Sequence, residues 1–221
     1  MRDTATSRER PAPAFTLVEL IVVVSIIMLL VTILLPTVSS AIRLSRRSAT
    51  AGIIFGISNG ISAYHRDWDG YPVSDNGAPG AALLVRQLQG YDGSEITNQG
   101  VQKPGSKRKL GPYMDLRKGL VKPFSGHFAF ADKFSRPILY FLADAPLNED
   151  ATAVYDKSDN GTFITSADYA DDDGNWNHLL PAPECRGPFL LISAGPDELF
   201  GDPDGDGPKA SDDVFNLRVE D

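Results

Sequence analysis

Cysteine is almost missing from the 221-residue chain. Cys185 stands alone, which excludes a disulfide within the chain and leaves the folded part to rest on a packed core or on metal. Histidine is nearly as sparse: His65, His127 and His178 are scattered, with no zinc-ligand spacing to one another or to Cys185. A phosphate-binding glycine loop, an internal repeat and a low-complexity tract are also missing. These gaps leave catalysis little to stand on, and the chain is not expected to be an enzyme. Basic charge is in the minority, 21 Lys and Arg against 29 Asp and Glu for a net charge of −8. The acids gather in the C-terminal half. Such a surface repels nucleic-acid phosphates, so no nucleic-acid partner is expected. It suits divalent cations.

What the chain does have is a concentrated apolar run. Hydrophobic content is 42% and charged content 23%, near globular averages, enough for one ordinary domain plus an anchor. Much of the apolar share lies in residues 14–36, AFTLVELIVVVSIIMLLVTILLP. As a helix rising about 1.5 Å per residue, residues 15–35 span roughly 30 Å, the hydrocarbon thickness of a bilayer. Arg2, Arg8 and Arg10 precede the run, as in a secretory signal. A signal's apolar region is only about 7–15 residues long and ends at a small-x-small site. This run is longer and ends at Leu35-Pro36, so it is expected to stay on the protein. Arg43, Arg46 and Arg47 follow, which nearly balances the flanking positive charge and leaves orientation undecided by charge.

Glu19 is the anomaly. A carboxylate at the bilayer centre costs roughly 2.5–3.5 kcal/mol, and less one turn from the edge. Either it snorkels to the headgroups or it waits for a positive partner. A cut before Phe15 would create that partner, an α-amino group at the start of the same helix. In parallel helices the amine of one subunit could meet the Glu19 of the next and set the axial register.

Ala14-Phe15-Thr16-Leu17-Val18-Glu19-Leu20 resembles the processing site of type IV pilins and type II secretion pseudopilins. In that family a prepilin peptidase removes a short basic leader before a Phe and methylates the new N-terminus. Glu19 falls fifth and Pro36 twenty-second after the cut, where the family places a Glu and a proline. The chain departs in having Ala14 where Gly is usual. The resemblance implies cleavage between Ala14 and Phe15, N-methylation of Phe15, and assembly through Glu19 and Pro36.

Beyond Pro36, which is expected to kink or locally melt the helix, helical character resumes. Ile42, Ser45, Ala49, Ile53, Gly56, Gly60 and Ala63 recur at helical spacing, and the helix is expected to end within residues 64–67. Gly52, Gly56 and Gly60 form a small-residue stripe, read either as a close helix approach or as a tolerated weak helix. The turn-rich DWDGYPVSDNG, residues 67–77, ends it and resembles the Gly-Tyr-Pro stretch after the long helix of major pseudopilins. A short amphipathic helix is expected over 81–88, then a polar loop over 90–109 carrying Lys103, Lys107, Arg108 and Lys109. Strand signals follow at 136–144, 187–195 and 213–220. Between the first two lies an acidic insertion, 150–181, expected on the surface. The fold class is α+β, and the resemblance makes it pilin-like: a long N-terminal transmembrane helix packed on a small antiparallel sheet. The division is a leader over 1–14, a membrane and assembly helix over 15–35, the outer half of that helix over 36–69, and a head over 70–221.

The second informative stretch is GPDELFGDPDGDGPKASDD, residues 195–213. Asp202, Asp204 and Asp206 alternate, Gly207 follows, and Asp213 falls where a twelve-residue calcium loop takes its last ligand. Clustered carboxylates repel one another unless a hard cation bridges them, and Ca²⁺ takes 6–8 oxygens. Ser193-Ala194-Gly195-Pro196-Asp197 resembles the strand end that opens the calcium loop of major pseudopilins, which adds Asp197 to the candidate ligands. By the resemblance, the chain is an inner-membrane, single-pass subunit with a periplasmic head. Its expected partners are a prepilin peptidase, copies of itself, other pseudopilins and an inner-membrane secretion platform. A type IV pilus subunit for adhesion or DNA uptake, and an unprocessed membrane-tethered calcium-binding domain, stand as alternatives.

Overall fold

The computed structural model describes residues 15–74, 77–91, 95–105, 107–115, 119–143, 155, 157–163, 187–197, 200 and 214–216. The chain divides into two compact units, Met1–Arg43 and Leu44–Asp221.

In the first unit the described residues form the beginning of one helix, α1 (Leu17–Trp68). It is long and apolar enough to cross a membrane. Its residues up to Arg43 are all exposed, Leu17 73%, Ile27 53% and Leu35 66% among them. Polar side chains in this stretch fold back on the backbone. Ser25 and Thr32 donate to the carbonyls of Ile21 and Met28, Thr37 to Leu34, and Ser39 and Ser40 both to Pro36, at 2.7–3.1 Å. An apolar surrounding offers hydroxyls no water, so a carbonyl three or four residues back is the available acceptor. The expected melting at Pro36 is not seen, because α1 is helical on both sides of it and through it. Only the N–H that proline lacks is lost from the ladder.

In the second unit the outer half of α1 buries one stripe, Thr50, Ile54, Ile57, Ile61 and Tyr64, at the three- and four-residue spacing of a helix face. The residues read as recurring at helical spacing, Ile42 to Ala63, all lie in α1; of them Gly60 is buried and Ile53 partly buried. The helix stops at Trp68, where Asp69 turns to φ 58° and gives its N–H to the His65 carbonyl at 2.9 Å, a left-handed cap. α2 (Gly80–Gln89) follows and buries Leu84, Val85 and Leu88.

The sheet elements are short: β1 (Val101–Gln102), β2 (Lys109–Leu110), β3 (Val121–Phe124), β4 (His127–Phe130), β5 (Leu139–Leu142), β6 (Phe189–Ser193) and β7 (Val214–Phe215). β1 pairs with β2 and β3 with β4, while β5, β6 and β7 form a three-stranded sheet in that order, and every pairing is antiparallel. The last sheet matches the three expected strand runs. The two hairpins were not expected.

β6 is buried at every position, because both faces of its sheet are covered. Period-two alternation sends Ile138, Tyr140, Phe189, Leu191 and Val214 to one face, where they meet Ile54, Ile57 and Ile61 of α1 and Leu84 and Leu88 of α2. Leu139, Phe141, Leu190 and Ile192 take the other face with Ala81, Ala82, Phe163 and Phe200. The long helix and the small antiparallel sheet therefore share a core, and the layout is α+β. Part of the insertion expected on the surface lies inside. Tyr155, Asn160 and Phe163 are buried, and Asn160 accepts from the Ala81 N–H while donating to the Tyr140 carbonyl. One amide thus ties the start of α2 to β5.

Candidate functional site

Three places carry the sequence-expected site residues: the start of α1, Pro36 and the end of β6. At the first, Thr16 precedes the helix and Glu19 sits in its first turn. The Glu19 carboxylate accepts the Thr16 N–H at 2.9 Å and the Thr16 hydroxyl at 2.8 Å through the same oxygen, Oε2. The Glu19 N–H in turn reaches Thr16 Oγ1 at 3.3 Å. This is a capping box, in which two backbone donors orphaned at a helix start are satisfied reciprocally. The carboxylate also lies where the positive end of the helix dipole favours it. The sequence signal for it is Thr-x-x-Glu at residues 16–19.

Glu19 therefore has a partner within its own chain, and the second oxygen, Oε1, has no hydrogen bond among the described residues. An acceptor with one lone oxygen held and one open is suited to a further donor. Phe15, which would carry a new N-terminus, is 76% exposed. Ala14 lies outside the described residues.

At the end of β6, Ser193 is fully buried and donates its hydroxyl to Asp132 Oδ2 at 2.6 Å. Asp132 Oδ1 accepts the N–H groups of Phe134 and Arg136, both at 2.8 Å. A buried carboxylate thereby fixes the β4–β5 turn and the strand end from which Gly195, Pro196 and Asp197 leave. Asp197 is exposed. Asp202, Asp204, Asp206 and Asp213 lie outside the described residues, as do Cys185 and His178. Among the described residues no three His, Cys, Asp or Glu side chains are grouped to hold a metal.

The small-residue stripe resolves unevenly. A Cβ on Gly60 would come within 3.2 Å of the Tyr113 carbonyl oxygen, and one on Gly56 within 3.3 Å of Met114 Cε. Next to Gly52 there is open space. Two of the three glycines thus mark close packing of the head on α1. In the expected basic loop, Lys103 Nζ donates to the Asp67 carbonyl at 3.1 Å and Lys109 Nζ to Gln99 Oε1 at 3.0 Å.

Two features point toward chemistry without assembling it. Gly56-Ile57-Ser58-Asn59-Gly60 has the Gly-x-Ser-x-Gly spelling of a hydrolase elbow, which the sequence reading missed. It lies within α1, whereas that motif exposes its serine on a strand-to-helix turn. A polar cavity of about 260 Å³ is lined by Ser74, Pro79, His127, Asp159 and Thr162, with the loop at Gly77-Ala78. His127 Nδ1 is buried without a hydrogen-bond partner among the described residues.

Comparison with protein-family models, with characterised proteins and with solved structures finds no match to this chain.

Proposed function

We propose that the chain is a structural subunit of a pilin-like filament, of the major-pseudopilin kind that serves type II secretion. The observation that carries this reading is the first half of α1: a helix apolar all round, exposed along its length, and opened by a carboxylate with one oxygen unpaired among the described residues. A helix of that surface needs either lipid or other helices around it. In this reading it has both in turn. The chain spans the inner membrane with its leader in the cytoplasm and its head in the periplasm. A prepilin peptidase cuts between Ala14 and Phe15 and methylates the new amine. Subunits then leave the lipid by packing their α1 helices together, and the growing filament pushes cargo outward.

Glu19 sets the register. Its Oε2 stays in the cap while Oε1 meets the N-terminal amine of a neighbour, so a charge that is costly in lipid becomes paired on assembly. Mass spectrometry of the N-terminus in protein from its native membrane tests the first step, where a methylated Phe15 is expected. Glu19→Ala tests the second. It should lower filament yield at least tenfold at unchanged membrane level.

One observation favours a tethered, unprocessed domain instead: Thr16 already satisfies half of the Glu19 carboxylate within the chain. An intact leader, together with Glu19→Ala protein that behaves as the parent, would establish that reading.

Calcium belongs to both readings, through Asp197, Asp202, Asp204, Asp206 and Asp213. Support comes from the spacing of the aspartates and from the clamp of Ser193 on Asp132 that fixes the loop's start. A ligand at a hundred times its dissociation constant stabilises by about 2.7 kcal/mol. Full-length protein in detergent should therefore melt roughly 5–10 °C higher in calcium than in chelator. Identical melting curves would remove calcium from the account.

A further inference from the structure

We infer that Arg43, Arg46 and Arg47 form a basic collar on α1 that binds anionic phospholipid headgroups at the membrane surface. The inference rests on reading residues 15–35 as membrane-spanning. All three arginines are exposed. The side chains of Arg43 and Arg46 make no hydrogen bond or ion pair among the described residues, while Arg47 has an interaction of its own, in a chain whose acids outnumber its bases 29 to 21. At about 100° per residue, positions 43, 46 and 47 fall within one sector of the helix surface. The collar therefore faces one way.

Its place along the helix identifies what it meets. Exposed apolar side chains continue past Leu35 through Val38 and Ile42, and Leu44 is exposed among the arginines, so cationic side chains first join the apolar surface at Arg43. Side chains on a helix lean toward its N-terminus, which here is the membrane side. Long arginine stems extend that lean by lying along the apolar surface with their heads in the polar layer. A guanidinium fork matches the oxygens of a phosphate.

The alternative occupant is a second copy of the chain. No Asp or Glu occurs between Glu19 and Asp67, so a parallel neighbouring α1 at the same level offers these arginines no acid. Lipid phosphates are present at that level. The collar also offsets the repulsion between an acidic head and an anionic surface, which otherwise works against a chain of net charge −8.

The test uses full-length protein in vesicles of phosphatidylcholine, with or without phosphatidylglycerol, followed by native mass spectrometry of the lipids it retains. Each basic residue near an anionic surface strengthens attachment about fivefold. The parent should retain phosphatidylglycerol in preference to phosphatidylcholine, and Arg43→Gln/Arg46→Gln/Arg47→Gln should reduce that preference at least tenfold. The corresponding triple Lys variant should keep most of it, since charge is retained and the fork is lost. Circular dichroism checks that the Gln variant folds as the parent does. Equal retention by parent and Gln variant overturns the collar. So does a Gln variant that keeps its lipid but loses self-association, which would hand the arginines to a second copy. Failure of the parent to float with either kind of vesicle removes the membrane-spanning reading itself, a result distinct from both.

Discussion

Asp132 is 5% exposed, and its two oxygens hold three donors from two parts of the head. An ionisable side chain is seldom buried so fully unless its lone pairs are used. Removing it leaves the N–H groups of Phe134 and Arg136 and the Ser193 hydroxyl without an acceptor. Asp132→Ala should therefore lower the unfolding free energy by about 2–4 kcal/mol. Ser193→Ala deletes a donor and strands less, so its cost should be about 1 kcal/mol. Urea unfolding of both single variants and the double variant gives the coupling directly. A coupling near zero would mean that the 2.6 Å contact does not hold the strand end. Nothing in the local sequence marks this carboxylate. Asp132 and Ser193 are far apart in the chain, and only the pairing of β5 with β6 brings the turn and the strand end together.

At the scale of elements, the outer half of α1 sets helix propensity against packing. Gly52 and Gly60 are both interior to the helix, where glycine costs about 1 kcal/mol relative to alanine. Space is open beside Gly52, whereas Gly60 faces the Tyr113 carbonyl oxygen at 3.2 Å from an added Cβ, with Leu88 Cδ1 at 3.6 Å. Gly52→Ala should raise stability by roughly 0.5–1 kcal/mol. Gly60→Val should lower it by about 1–3 kcal/mol, as overpacking does. Thermal unfolding of the pair distinguishes the two sites, and a stabilised Gly60→Val would show that the helix and the Tyr113 loop are not in firm contact. The sequence made α1, α2 and the strands of the three-stranded sheet legible because each presents a period or a bounded apolar run. It hid β1 (Val101–Gln102) and β2 (Lys109–Leu110), which are as short as β7 but lie in a polar loop with no bounded apolar run around them. It also hid the β3–β4 hairpin, whose turn residues Ser125 and Gly126 take φ 46° and 81°. A Ser-Gly pair is a turn signal, whereas Pro123 inside β3 is a residue that strands seldom hold.

Across the whole molecule, what sequence could reveal was divided by whether one chain suffices. Thr16, Glu19 and Pro36 were legible as a word, and the cap between the first two is complete in a single chain. In the proposed filament a register partner for Glu19 is not, because there it would come from a neighbour. The head's cohesion is likewise collective, and its tyrosines show how to test it. Tyr64 stacks on Trp68 at 5.2 Å and meets Tyr113 edge-on at 5.4 Å. Tyr113 accepts from Trp68 Nε1 at 2.8 Å and donates to Asp67 at 3.1 Å, while Tyr140 donates to the Pro72 carbonyl at 2.6 Å. Burial pushes all three phenols up, Tyr113 to about 12 from its ordinary 10 and Tyr64 and Tyr140 in the same direction. Further upward pushes come to Tyr113 from Asp67 and to Tyr140 from Tyr64 and Asp159. In the unfolded chain these phenols ionise near pH 10, so between pH 10 and about 12 the unfolded state binds fewer protons than the folded one. The associated stability is complete below pH 10 and is lost as pH rises toward the folded values. Urea midpoints should thus hold up to pH 10 and fall steadily above it. Phenolate absorbance should show some of the seven tyrosines titrating only together with loss of the helical signal. A midpoint unchanged at pH 11, or tyrosines that all titrate before unfolding, would mean that this aromatic cluster is open to water and does not bind α1 to the sheet.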